Sequence, residues 1–187
     1  EGLPPRPRDP GASLRADEIE IGAGWNIEIP VDATPPLVTA GEELQRYLRE
    51  AMGVRVEVLR TPQAADWRAR HKVIVAASRD KMPGCGDRLK AAKDYRIAVS
   101  GDSVAVCGFD ERGAMYGLYN LIMRFSLREA PYLPKYLDTV RYSLYKARMT
   151  LSGLGWMEWP DRYLATLPLY GYDAIYCSVY RNPNNAP

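Results

Sequence analysis

Nucleophiles and metal ligands are scarce in this sequence, which has one histidine and three cysteines. His71 lies in the basic segment 68–72, at the entrance to an apolar run, and we expect a solvated loop there. Cys107 ends another apolar run and is predicted to be a small buried side chain. Cys85 and Cys177 are far from it in the sequence, so no zinc-ribbon spacing and no even disulfide framework can be drawn. We therefore expect no nucleophile–histidine pair, no metal and no cofactor.

Adjacent carboxylates are the remaining residues that could perform acid–base chemistry. Glu42 with Glu43, and Asp110 with Glu111, form two such pairs. Both pairs lie on segments whose apolar residues recur at helical spacing, so we interpret them as solvated helix faces or as partners of a helix dipole. The sequence therefore indicates no catalytic residue within this chain.

The charge balance excludes a strongly electrostatic nucleic-acid binder. The 187 residues include 25 basic and 23 acidic side chains, with no dense run of Lys or Arg. No apolar run approaches the roughly 20 residues that a membrane-spanning helix needs. With 47% hydrophobic residues, the chain is long enough for one domain and an additional piece.

The elements that would position any site can be predicted from periodicity. The first ten residues contain four prolines, and residues 1–16 are expected to form an extended, poorly ordered leader. Alternation at residues 19–21 and 25–29 predicts two short strands or one hairpin. A half-exposed strand is predicted at 54–58, and the apolar run 73–77 is typical of a central strand that is covered on both faces.

Helical spacing and turn residues define the next elements. The spacing over residues 35–53 predicts a helix that opens on two prolines and ends at a glycine, with a capping box between Thr39 and Glu42. Residues 95–100 and 103–108 flank a two-residue Gly-Asp turn and specify a β-hairpin. An amphipathic helix is expected directly after this hairpin.

The pattern changes after this helix. Residues 129–138 contain two prolines and are interpreted as a linker. Residues 140–151 predict one or two strands, residues 156–169 a short helix and residues 173–180 another strand. Strand, helix and parallel strand form a βαβ unit, which cannot bury both of its faces alone. We therefore expect the chain to end inside a second domain.

Several of these segments together resemble a known family. They look like the non-catalytic N-terminal α/β domain that precedes the catalytic barrel in family 20 β-N-acetylhexosaminidases and related α-glucuronidases. The most specific match is Gly-x-Asp-x-Arg-Gly-x-x-Tyr-Gly, which starts at Gly108. The resemblance covers about residues 17–145, and the remainder is similar to the first strand, helix and strand of a TIM barrel. The segments that carry the resemblance are residues 42–48, 95–97, 101–104 and 108–121.

The resemblance implies a fold and a domain plan. The fold is of the α/β (α+β) class, a mixed sheet with helices packed on one face, followed by an incomplete βαβ start of a (β/α)8 barrel. Residues 17–139 would form the accessory domain and residues 140–187 the barrel start. The implied partners are a carbohydrate, bound by the complete barrel, and a catalytic domain in the same chain or in a separate chain. We expect neither a nucleic-acid partner nor a membrane span. The resemblance to this family favours an extracellular or periplasmic location.

The resemblance also points to residues that could contact a sugar. Family 20 members carry an arginine on the first barrel strand that holds sugar hydroxyls, and Arg148 matches it, although a structural ion pair is the alternative. The family's following Gly and its later Asp and Arg are replaced here by Met149, Gly153 and Trp156. Trp156 and Trp159 could stack on a pyranose face or pack at a domain interface.

The glycines of the specific motif allow two interpretations. Gly108, Gly113 and Gly117 lie where a strand turns into a helix that must approach the sheet closely. A phosphate cradle is the competing hypothesis, because such a turn presents free N–H groups. Its spacing matches no phosphate-binding motif, and Asp110 and Glu111 would repel a phosphate.

The sequence leaves three alternative hypotheses for the function of the chain. The preferred hypothesis is the N-terminal part of a glycoside hydrolase, inert by itself, with its catalytic residues elsewhere. The first alternative is a stand-alone carbohydrate-binding or protein-interaction module, in which the last residues complete one compact sheet. The second alternative is a complete small enzyme, which the lack of any nucleophile, base or metal constellation disfavours.

Overall fold

The structure is a computed structural model that describes residues 5–62, 66–152 and 161–177. The chain divides into two compact units, Glu1–Ser143 and Leu144–Pro187. The strands of the first unit are β1 Glu18–Glu20, β2 Asn26–Pro30, β3 Glu57–Thr61, β4 Val73–Ser78, β5 Tyr95–Ser100, β6 Ser103–Gly108, β7 Tyr132–Pro134 and β8 Asp138–Arg141. Its helices are α1 Pro35–Ala51 and α2 Glu111–Arg128, with a short 3-10 turn at Trp67–Ala69.

Six strands of the first unit form a mixed sheet in the order β3-β2-β4-β6-β5-β8. The first four of these strands are parallel to one another, while β5 runs antiparallel to both β6 and β8. The predicted hairpin is present as β5 and β6, joined by Gly101 and Asp102. All six residues of β4 are buried, as its apolar run predicts for a central strand.

The two helices contact each other and pack on the sheet. Helix α1 buries Leu37, Leu44 and Leu48 without any exposed surface, because these residues share one helical face. The other face of the sheet is covered by Trp67 and by the segment 79–93, whose apolar side chains pack on β4, β5 and β6. The mixed sheet with its helices is the fold class that the sequence predicts.

The first turn of α1 differs from the sequence prediction. The helix begins at Pro35, with Thr34 in an extended conformation at the N-cap. Thr39 and Glu42 therefore lie inside the helix, and the predicted capping box is wrong. Proline is favoured in the first turn because the N–H that it lacks has no helical partner there, so it fixes the start upstream of Thr39.

The first two strands do not form a hairpin with each other. Strand β1 pairs antiparallel with β7 in a separate two-stranded sheet, whereas β2 lies between β3 and β4. The interpretation of residues 129–138 as a linker also differs from the structure, since they contain β7 and the start of β8. Alternation alone could not show this, because each of these short strands finds its partner far away in the sequence.

The leader is bound to the ends of both helices. Arg8 N donates to Ala51 O and Asp9 N donates to Glu129 O, each at 2.8 Å. Tyr47 Oη donates to the Arg6 carbonyl at 2.7 Å. We expected this segment to be poorly ordered, but it makes defined hydrogen bonds. Carbonyl groups at the helix ends lack helical partners, so they accept hydrogen bonds from Arg8 N and Asp9 N.

The second unit contains β9 Met149–Ser152, α3 Asp161–Leu169 and β10 Ala174–Cys177. Strands β9 and β10 are parallel, with Met149 opposite Ala174, so the described residues form the predicted βαβ unit. Exposed fractions of 54% at Met149 and 53% at Tyr176 show that its strands are not covered as those of a parallel sheet usually are. None of the described helices has the length and apolar character needed to cross a bilayer.

The Glu18 carboxylate provides a test of this packing by pH. It is buried, and Arg128 donates to it from Nε at 2.8 Å and from Nη2 at 3.1 Å. The hydrogen bond from Arg128 lowers the pKa of Glu18 below its ordinary value. Because the pKa of Glu18 is lower in the folded than in the unfolded chain, its ionised form stabilises the fold at pH values above the unfolded pKa of about 4.3. This stabilisation is lost as the pH falls through the folded-state pKa.

We expect Glu18→Gln to destabilise the chain at pH 7 and the difference from wild type to close below about pH 4. Urea unfolding followed by circular dichroism across this range measures it. Glu20→Gln is the matched control, because Glu20 on the same strand forms only an exposed ion pair with Arg8. A Glu18→Gln difference that stays constant with pH would contradict the assignment.

Candidate functional site

The turn from β6 into α2 carries the most specific sequence motif, and Asp110 organises it. Asp110 is extended at the N-cap of α2. Its Oδ1 atom accepts hydrogen bonds from Gly113 N at 2.8 Å and from Lys93 N at 3.1 Å. The carboxylate thus binds the Gly113 amide, one of those that a phosphate would use, and its negative charge would repel an anion there, so the structure does not support the phosphate cradle.

The glycines of the motif permit close contacts between backbone segments. A Cβ atom at Gly108 would lie 2.1 Å from the Asp110 carbonyl oxygen, and one at Gly113 would lie 2.2 Å from the Asp94 carbonyl oxygen. A Cβ atom at Gly117 would lie 2.3 Å from Val106 Cγ1 on β6. The structural interpretation of these glycines is therefore confirmed.

Asp94 is a second organising residue, and the sequence analysis missed it. Its side chain is buried, with Oδ2 accepting from Lys90 N and Ala91 N at 2.9 Å each and Oδ1 accepting from Ser143 N at 2.8 Å. Its carbonyl oxygen accepts from Phe109 N at 2.8 Å. Asp94 thus connects the segment before β5, the β6–α2 turn and the end of the first unit. No local pattern signals it, because two of these partners are distant in sequence.

The paired carboxylates are used in structural contacts. Glu43 forms an ion pair with Arg46 on the surface of α1, and Glu42 is exposed beside it. Glu111 accepts a hydrogen bond from Thr34 N at 2.8 Å, which links the first turn of α2 to the start of α1. Neither pair is arranged as an acid and a base across a cleft.

The residues with nucleophile or metal potential are also separated. The His71 side chain is 82% exposed, and its Nδ1 lies 2.8 Å from Asp102 Oδ1. Cys107 is buried, as predicted, and its thiol lies beside that of Cys85 although the two are distant in sequence. Within the described ranges, no group of three or more His, Cys, Asp or Glu side chains could hold a metal ion.

Arg148 is the one predicted sugar-contacting residue that the structure describes. It directly precedes β9, at the amino end of that strand, whereas substrates of TIM barrels bind at the carboxyl ends. Arg148 N donates to Asp173 Oδ2 at 2.8 Å, and its Nε lies 3.9 Å from the same oxygen. A Cβ atom at Gly171, where φ is +83°, would lie 2.8 Å from Arg148 Nη1. Trp156 and Trp159 lie outside the described residues.

The mixed sheet, the paired helices and the glycine-rich turn define an accessory α/β domain of the kind found in glycoside hydrolases. The model of the family "Glycosyl hydrolase family 67 N-terminus" matches residues 23–121, which is more than half of the chain. The chain therefore belongs to this family of glycosyl hydrolase N-terminal domains. No curated protein matches it.

Solved structures share the fold at low sequence identity. The N-acetyl-β-hexosaminidase of Streptomyces plicatus is 17% identical with a TM-score of 0.61, and the match covers 88% of this chain and 32% of that chain. A chitobiase of Flavobacterium johnsoniae is 14% identical with a TM-score of 0.60, covering 92% and 26%. A family GH115 4-O-methyl-α-glucuronidase is 14% identical with a TM-score of 0.51, covering 72% and 19%. The chain thus spans about a third or less of these enzymes.

Substitution of Gly113 tests the close approach of α2 to the sheet. We expect Gly113→Ala to lower the free energy of unfolding by about 2–3 kcal/mol, because the added methyl group meets a backbone carbonyl that cannot move cheaply. Gly41→Ala is the matched control in α1, where the new Cβ would be in ordinary contact at 3.6 Å from Val58 Cγ1. The control is expected to be neutral or stabilising by up to about 1 kcal/mol in urea unfolding. Equal stability of the two variants would contradict the role of Gly113.

Proposed function

We propose that this chain is the non-catalytic N-terminal part of a glycoside hydrolase of the β-N-acetylhexosaminidase or α-glucuronidase type. Residues 17–143 form an accessory domain that supports a catalytic barrel, and residues 144–187 form the first βαβ of that barrel, so the boundary expected at residue 139 moves past β8. The match of residues 23–121 to a glycosyl hydrolase N-terminal family carries this proposal. The solved neighbours support it, since they are larger glycosidases.

The use of carboxylates in the first unit supports a non-catalytic role. Glycoside hydrolysis needs one carboxyl group to give a proton and usually a second one to act as base or nucleophile. Here Asp110 and Asp94 accept hydrogen bonds from backbone amides, and Glu111 accepts one from Thr34 N. These hydrogen bonds hold the turn and the helices in place.

The exposed apolar side chains of the second unit support the hypothesis that it is the start of a barrel with further strands. Its two-stranded parallel sheet leaves large apolar side chains exposed, which additional strands and helices of a barrel would cover. Strand β10 pairs with β9 and is not in the six-stranded sheet, whereas the stand-alone module hypothesis expects one compact sheet. The exposed apolar side chains of this unit are Leu144, Tyr145, Met149, Tyr163, Leu164, Tyr170, Tyr172 and Tyr176.

Arg148 is proposed to hold sugar hydroxyls in the complete barrel. Its side chain is partly exposed, and the buried Asp173 carboxylate lies near its Nε atom, so the guanidinium group is oriented before a ligand arrives. The opposing hypothesis is that Arg148 only forms the ion pair with Asp173. Its position at the amino end of β9 favours this alternative. Stacking of Trp156 and Trp159 on the sugar ring stays a prediction.

Hydrolysis assays test the proposal directly. We expect the natural protein that carries residues 1–187 to hydrolyse a nitrophenyl β-N-acetylglucosaminide or a nitrophenyl α-glucuronide. We expect residues 1–187 alone to release no nitrophenol above the blank, because no catalytic pair lies within the described residues. Turnover by residues 1–187 alone would overturn the non-catalytic assignment, and absence of turnover by the natural protein on both substrates would remove the glycosidase assignment.

A conservative variant distinguishes the two roles of Arg148. Arg148→Lys keeps the charge but removes the bidentate fork, so we expect kcat/KM of the natural protein to fall by about 10- to 100-fold. Arg49→Lys is the control, since Arg49 forms an exposed ion pair with Glu50 in the accessory domain. Thermal unfolding is measured on both variants. An unchanged kcat/KM with a lower midpoint would assign Arg148 to the ion pair alone.

A further inference from the structure

Two buried cysteines lie against each other on the sheet face opposite the helices. Cys107 belongs to β6 and Cys85 to the segment between β4 and β5, and neither side chain has exposed surface. Both belong to the apolar cluster that contains Trp67 and Met82. Their thiol groups lie within hydrogen-bonding reach of each other, and both are free thiols. The hydrogen bonds of Asp94, Asp110 and Glu111 that hold the β6–α2 turn and the helices do not involve these two thiol groups.

The backbone fixes both cysteines relative to β5. Cys107 is paired with Arg96 in the antiparallel ladder of β5 and β6. Arg96 Nη1 donates to the Cys85 carbonyl at 3.1 Å, and Cys85 N donates to Met82 O at 3.1 Å. The same arginine therefore lies opposite one cysteine and binds the backbone of the other. Their proximity follows from the strand pairing of Cys107 with Arg96 and from the hydrogen bond of the Arg96 side chain to Cys85.

The surroundings give the two thiols different acidities. The hydrogen bond with Cys107 lowers the pKa of Cys85, and the positive charges of Arg96 and Arg68 act in the same direction, while burial opposes them. The hydrogen bond with Cys85 and burial raise the pKa of Cys107. These opposite shifts show that the two thiol groups interact with each other in the folded protein.

We propose that Cys85 and Cys107 form a disulfide under oxidising conditions and that this bond joins segment 79–93 covalently to β6. The oxidant is a low-molecular-weight disulfide such as oxidised glutathione. One of the two thiolates attacks one of its sulfur atoms and releases one reduced glutathione. The other thiolate then attacks the protein sulfur of this mixed disulfide and releases the second one. The protein loses two protons and two electrons, and one oxidised glutathione becomes two reduced molecules.

Burial determines when this reaction can occur. Cys85 belongs to segment 79–93 and both thiols are buried, so an oxidant reaches them while the chain folds or when this segment opens. The segment contains no regular helix or strand. We therefore expect oxidation to be efficient during refolding and slow in the folded protein.

The test uses residues 1–187 with Cys177→Ser, which leaves Cys85 and Cys107 as the two cysteines of the chain. The reduced, denatured variant is refolded with a mixture of oxidised and reduced glutathione, quenched with acid, denatured and treated with iodoacetamide. We expect an intact mass lower than that of the reduced protein by two hydrogen atoms, with no alkyl group added. Alkylation of both cysteines, a stable adduct with glutathione, or a disulfide-linked dimer would overturn the proposal.

Thermal unfolding then tests whether the bond fits the native fold. We expect the midpoint of the oxidised form to lie about 5–10 °C above that of the same variant refolded with a phosphine reductant, since the bond restricts the unfolded chain. Cys85→Ala with Cys107→Ala in the same background is the matched control and should show no effect of redox conditions. The oxidised and reduced forms share one sequence, so the comparison holds even if the control variant does not fold. An equal or lower midpoint of the oxidised form would show that the native structure does not accommodate the bond.

Discussion

The close approach of α2 to the sheet at the β6–α2 turn is the constraint on which the first unit depends. Gly108 and Gly113 permit backbone contacts that a Cβ atom would block, and Gly117 permits contact with Val106. This proximity places Asp110 where it caps the helix and binds Lys93 N. It also brings the Asp94 carbonyl to Phe109 N. The helix, the turn and the segment before β5 are thus held by one set of contacts, which only small residues allow.

The same constraint explains why the motif indicates a scaffold. In this turn the Gly113 amide at the helix start donates to the chain's own Asp110 carboxylate, so it is not available to a ligand. The charged residues of the motif make structural contacts. Glu111, for example, accepts a hydrogen bond from Thr34 N and so links the two helices. This agrees with membership in a family of glycosyl hydrolase N-terminal domains.

Local patterns were sufficient where both partners are close in sequence. The β5–β6 hairpin, helix α2 and the βαβ unit follow from turn residues and periodicity, and each was predicted correctly. The prediction failed where strands are short and their partners remote, as with β1 and β7. The contacts of Asp94 were missed for the same reason, since Ser143 lies far along the chain.

The sequence by itself determined the fold class and the motif. Glycine, proline and apolar spacing act over a few residues, so they can be interpreted without coordinates. Only the tertiary structure decided that the leader is bound to the helix ends and that Cys85 lies against Cys107. Contacts of this kind arise when distant segments fold over one sheet. Their pairing depends on the register and packing of the whole domain, which no local spacing records.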